Sequence, residues 1–123
     1  MKNADIKDRL ADFYDAFNNK KWKVVEEYLS EDFSYFTDNC RVQKKSDFIS
    51  FMQSDDWQGE SFQLEELKIG RSESDDLAFA TCRTKFEGIA SGTKMKFQAI
   101  ETVVFKAEAG EWKILHFHVS NKV

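Results

Sequence analysis

The chain has no proline, two cysteines, two histidines and five glycines in 123 residues. Lack of proline excludes cis-proline turns and polyproline recognition segments. Cys40 and Cys82 lie far apart with no C-x-x-C spacing, so a disulfide framework and a cysteine zinc site are both set aside. Each reads as a small, reduced core residue. Positive charge is also scarce: 18 Lys and Arg face 22 Asp and Glu, for a formal −4. General attraction to nucleic acid or to an anionic membrane is therefore not expected. No apolar run approaches the ~18 residues of a membrane span, and the opening MKNADIKDRLADFYD is polar where a secretory leader would be apolar. A cytoplasmic protein is expected. With no repeat, linker or low-complexity stretch, residues 1–123 are expected to form one domain.

Aromatic residues are plentiful. They make up 15% of the chain, twelve of them Phe, within a hydrophobic share of 41%. That is enough for a substantial core, or for a core plus an apolar cavity. In ADIKDRLADFYDAF, the positions Ile6, Leu10, Phe13, Tyr14 and Phe17 have helical spacing, with Asn3 or Asp5 as a cap. A second, shorter helix gathers Trp22, Val25 and Leu29 and ends near Ser30-Glu31-Asp32. FSYFTDNCRV reads as a short strand, a turn and a return. Ser46 is placed as the N-cap of a third helix, SDFISFMQ, with Phe48, Ile49 and Met52 inward.

From Ser61 the period becomes two, with strands expected over 61–72, 77–89, 93–106 and 111–120. Ser74-Asp75-Asp76, Ser91-Gly92 and Ala109-Gly110 supply the turns. Short connections make neighbours antiparallel. Helices followed by a long-stranded sheet predict an α+β fold, with the sheet curled around three N-terminal helices to leave a cone-shaped cavity.

A two-residue loop at Ser91-Gly92 and a four-residue loop over 107–110 fix an expected register. One face then holds Ala78, Ala80, Cys82, Thr84, Phe86, Met95, Phe97, Ala99, Glu101, Val103, Phe105, Trp112, Ile114, His116 and His118. Glu101 falls between Cys82 and His116, a carboxylate among apolar groups whose burial needs compensation. It either pairs with His116 or is desolvated enough to hold a proton near neutral pH. The other face carries Phe79, Ile100, Val104, Leu115, Phe117 and Val119, with Arg83, Lys85, Lys94, Lys96 and Lys113 around them. So apolar a face predicts a homodimer. His116, His118 and Glu101 could also supply three ligands to zinc or non-haem iron, but two histidines and one acid are a weak signal. No metal and no cofactor is expected.

The element order, with a Tyr-bearing first helix, a short strand ending in an acid and a closing meander, resembles the nuclear transport factor 2-like superfamily. The tail Gly110, Trp112, Lys113, Ile114, His116, His118 and Ser120 is similar to the closing strand of SnoaL-like proteins and of the calcium/calmodulin-dependent kinase II association domain. Ketosteroid isomerases are a sharper comparison, and they are a standard worked case of a carboxylic acid kept protonated in an apolar site. The resemblance implies Tyr14 and Glu101 as oxyanion stabilisers and Asp38 as base, for cofactor-free acid/base chemistry α to a carbonyl. This sequence departs from that pattern by carrying Glu for a shorter Asp at the late strand and no proline after Asp38. The expected pocket for a small organic molecule is lined by Tyr14, Asp38, Trp57, Cys82, Phe97, Glu101, His116 and His118. The alternative is a non-enzymatic association or ligand-sensing module. A cavity of roughly several hundred Å³ favours binding, and a filled cone favours association.

Overall fold

A computed structural model describes residues 3–37, 40–42, 44–54 and 56–122. In chain order the elements are α1 (Asn3–Asn18), α2 (Trp22–Glu27), β1 (Leu29–Thr37), β2 (Cys40–Val42), α3 (Lys45–Gln53), β3 (Gln58–Arg71), β4 (Leu77–Ala90), β5 (Thr93–Glu108) and β6 (Glu111–Lys122). The six strands form one curved, unclosed sheet in the order β2-β1-β6-β5-β4-β3. Strands β3 to β6 are an antiparallel meander, while β1 joins β6 in parallel.

The helices cover one face of this sheet through their apolar stripes. Ile6, Leu10, Phe13 and Tyr14 of α1, Val25 of α2, and Phe48 and Ile49 of α3 are buried there. From the sheet come Ala78, Ala80, Cys82, Ala99, Val103, Phe105, Trp112, Ile114 and Phe117. Small side chains on β4 and β5 leave room for the rings of α1, a close-packing requirement rather than a propensity effect. Arg9 ties α1 down, its Nε donating to the Trp112 carbonyl at 3.0 Å while its guanidinium lies over the Tyr28 ring.

The β4–β5 register matches the sequence reading, with Ala90 opposite Thr93 and Cys82 opposite Glu101. Ser91 and Gly92 both have positive φ, at 51° and 77°, the geometry of a type I′ hairpin that follows the strand twist. Four expectations are corrected. The second helix stops at Glu27, because Leu29 already pairs with Ile114 in the sheet. Ser46 lies inside α3, whose N-cap is Lys44 with no side-chain capping bond. The last hairpin loop has two residues, not four, since Glu108 pairs with Glu111 around Ala109 and Gly110, whose φ values are 51° and 80°. The fourth correction concerns the histidines.

Strand β6 carries an irregularity: Phe105 pairs with Ile114, but Val104 pairs with His116, leaving Leu115 as an extra residue. A bulge of this kind shifts the side-chain alternation by one. Beyond it Phe117 and Val119 face the helices, opposite Val103 and Glu101, and His116 and His118 turn to the outer face. Phe117 is buried where the expected register put it outside. Burial of a Phe contributes about 1.5–3 kcal/mol, whereas two inward histidines would have to be desolvated, so the bulged register is the favoured one.

Candidate functional site

Among the described residues, the buried polar side chains are Ser30, Thr84 and Glu101, and Glu101 is the one buried acid. Glu101, only 1% exposed, projects from β5 beneath α1. Its Oε1 accepts a hydrogen bond from the Tyr14 hydroxyl, and its Oε2 accepts one from Thr84 Oγ1 on β4. Thr84 is itself fully buried, and its hydroxyl also lies 3.5 Å from the Ala99 carbonyl oxygen. Cys82, opposite Glu101 in the ladder, sits beside the Tyr14 hydroxyl.

Electrostatics follow from burial without a cation. Among the described residues, only hydrogen bonds from Thr84 and Tyr14 offset the desolvation of Glu101, which pushes its carboxyl from an ordinary 4.5 up to about 7. Burial, followed by the charge of Glu101, also raises Tyr14 well above the usual phenol value. The Cys82 thiol is pushed up to about 12 by burial first and Glu101 second, so it stays protonated and unreactive at neutral pH.

Tyr14 and Glu101 border a cavity of about 110 Å³. Its other walls are Phe13, Phe17, Tyr35, Met52, Phe86, Phe117 and Val119. The Tyr14 ring is held between aromatic neighbours, with Phe13 edge-on at 5.6 Å between centroids and Phe117 at 6.2 Å. A void near 150 Å³ is about what benzene fills, so this cavity suits a molecule of that size or smaller. It falls short of the several hundred Å³ set above as the mark of a binding pocket. A larger hollow of about 320 Å³ lies around Arg83, Gln98, Ile100, Ser120 and Asn121. Neither Tyr14 nor Glu101 borders that hollow, so the chemistry points to the smaller one.

The expected site residues are thus divided. Tyr14, Glu101 and Cys82 come together. Trp57 and Phe97 stack edge-on with each other at 5.4 Å, next to Phe86 in the ladder but outside the cavity lining. Asp38 lies outside the described residues, as does the side chain of Cys40. His116 and His118 leave the site because of the bulge, and Glu101 pairs with Tyr14 and Thr84 instead of His116. The same turn of the strand separates the three groups weighed above as metal ligands. Among the described residues, no group of three or more His, Cys, Asp or Glu is placed to hold a metal ion.

On the outer face His116 Nδ1 is 2.7 Å from Ser34 Oγ, and its ring meets Phe36 edge-on at 4.8 Å. Partial burial first, and His118 second, lower the His116 pKa. Sequence reasoning missed Thr84 as a site residue, although the β4–β5 register already put this hydroxyl on the inward face near Glu101. It also missed Phe117 and Val119. Their signal is the phase change of the apolar pattern, which runs Trp112, Ile114 and then Phe117, Val119.

A curved sheet wrapped on three helices, with an acid and a tyrosine at the floor of a small apolar cavity, defines a cone-fold domain of the nuclear transport factor 2-like class. The model of the SnoaL-like domain family matches residues 6–123, and the chain belongs to that family. Solved structures agree on the fold. A nuclear transport factor 2-like protein from Cytophaga hutchinsonii superposes with a TM-score of 0.85 at 16% identity, covering 99% of this chain and 100% of its own. A ketosteroid isomerase-like protein from Erwinia carotovora atroseptica gives 0.82 at 16% identity, over 98% and 95%. The association domain of CaMKII from C. elegans gives 0.82 at 15%, over 96% and 94%. No curated protein sequence matches this chain.

Proposed function

We propose that the cone binds a small, neutral organic molecule with an oxygen acceptor, its apolar body among the phenylalanines and its oxygen at Tyr14. The observation that carries this reading is Glu101: a buried carboxyl with no cation beside it among the described residues, bonded to a tyrosine on the wall of an apolar cavity. Buried acids that serve the core alone are usually paired with a cation or exposed at one edge. The cavity volume narrows the ligand to a carbonyl compound no larger than benzene, such as cyclopentanone, and disfavours a steroid or polyketide. The reaction suited to the pair is proton transfer α to that carbonyl, with Asp38 as base and Tyr14 stabilising the enolate.

α-Hydrogen exchange of cyclopentanone in deuterated water, followed by NMR, tests both parts. Wild type is expected to bind the ketone and to speed the exchange. Tyr14→Phe should weaken binding about tenfold, the worth of one buried hydrogen bond, and Asp38→Asn should abolish the acceleration. Equal binding by wild type and Tyr14→Phe would sink the reading.

A second reading is favoured by the outer face. Leu77, Phe79 and Ile100 are exposed there, Ile100 at 58%, on adjacent strands. We infer that this face covers its counterpart in a homodimer; association is also what the C. elegans CaMKII domain is named for. The two readings are compatible, because they use opposite faces of one sheet.

A further inference from the structure

Both oxygens of Glu101 are occupied, and each partner has a second place for its proton. As an anion, Glu101 takes the hydroxyl protons of Tyr14 and Thr84. Tyr14 then has none to give a ligand, since its single proton is committed to a charge-assisted bond that a neutral carbonyl cannot match. Protonation changes the arrangement. A proton on Oε2 can be donated to Thr84 Oγ1, which turns its own hydrogen toward the Ala99 carbonyl oxygen 3.5 Å away. The bond from Tyr14 to Oε1 falls from charge-assisted to neutral, and the phenol is released toward the cavity that it borders.

We propose that the Thr84–Glu101–Tyr14 chain is a proton-operated gate on this pocket: a neutral oxygen-acceptor ligand binds the form with a proton on Glu101, so binding draws one proton from solvent, and Thr84 is the positioning residue that sets how readily the gate takes it. The inference rests on the small-molecule reading above and adds the linkage and the role of Thr84. No charged group competes for the proton among the described residues packed on Glu101. From α1 the titratable neighbour is Tyr14, and from β4 it is Cys82. Strand β1 offers Tyr35 across the cavity, while β6 presents Phe117 and Val119 and α3 presents Met52. Burial holds Glu101 near pH 7, inside the range where such a gate operates, and the Thr84 bond pulls that value down.

Calorimetry of cyclopentanone binding to the wild-type protein, in two buffers of different ionisation heat, tests the linkage without any substitution. Affinity should be level below about pH 6 and fall about tenfold per unit above about pH 8, with close to one proton taken up per ligand in that upper range. Glu101→Gln, whose amide can donate as the acid does, should give a pH-independent affinity and no proton uptake. Thr84→Val removes a donor to the anion, so the midpoint should move to higher pH, and Thr84→Ser should return it. Binding without proton uptake, or a midpoint unmoved in Thr84→Val, overturns this inference and leaves the small-molecule reading standing. No binding at any pH overturns both.

Discussion

At the scale of the residue, Glu101 makes the domain's stability depend on pH with an unusual sign. Its folded pKa is above its ordinary value, so between 4.5 and about 7 the folded state holds the proton more tightly than the unfolded chain. The contribution is full below 4.5 and is lost as pH rises through about 7, amounting to roughly 3 kcal/mol. His116 opposes it: its pKa is lowered by burial and by His118, so stability from that group is lost as pH falls below 6.5. Urea unfolding of wild type and Glu101→Gln at pH 5 and pH 8 separates the two. The wild type should lose stability relative to the variant at pH 8; parallel values at both pH values would mean that Glu101 is ionised throughout.

The element that decides most is β6. One extra residue, Leu115, exchanges the histidines for Phe117 and Val119 on the inner face, and the cavity wall is built from that exchange. Phe117→Ala is expected to cost about 3–5 kcal/mol, as for a ring removed from a packed core, while His118→Ala on the exposed side stays within about 0.5. Thermal or urea denaturation checks this directly. The reverse ranking would restore the unbulged register. The β4–β5 hairpin was legible because Ser91-Gly92 permits a tight I′ loop and thereby fixes every pair down to Cys82 and Glu101. Strand β6 was less legible: Ile114 and Leu115 are both apolar, and either phase supplies inward hydrophobic side chains.

On the scale of the whole molecule, the sheet separates two chemistries. Its helix side holds an apolar cavity with one acid, and its outer side holds Ile100, Phe79, Phe36 and the histidines, fringed by ion pairs such as Lys85 with Glu65 and Lys96 with Glu87. Ile100→Lys would place a second positive charge beside Arg83 on the outer face while leaving the core untouched. Light scattering should show wild type as a dimer and the variant as a monomer with unchanged helix and strand content. A wild-type monomer at micromolar concentration would remove the dimer proposal. No helix among the described residues is long and apolar enough to cross a membrane.

Sequence alone determined the order of elements, the inward stripe of α1 carrying Tyr14, and the place of Glu101 opposite Cys82, because local periodicity and turn chemistry act over a few residues. It also pointed to the family, through the order of elements and the tail motif. Only the tertiary structure decided which face His116 and His118 occupy, that Thr84 completes the Glu101 cluster, and how small the cavity is. Those outcomes depend on competition for burial between side chains distant in sequence. Burying Phe117 in place of a histidine is worth more than an unbroken strand alternation, and that comparison exists only once the helices are packed on the sheet.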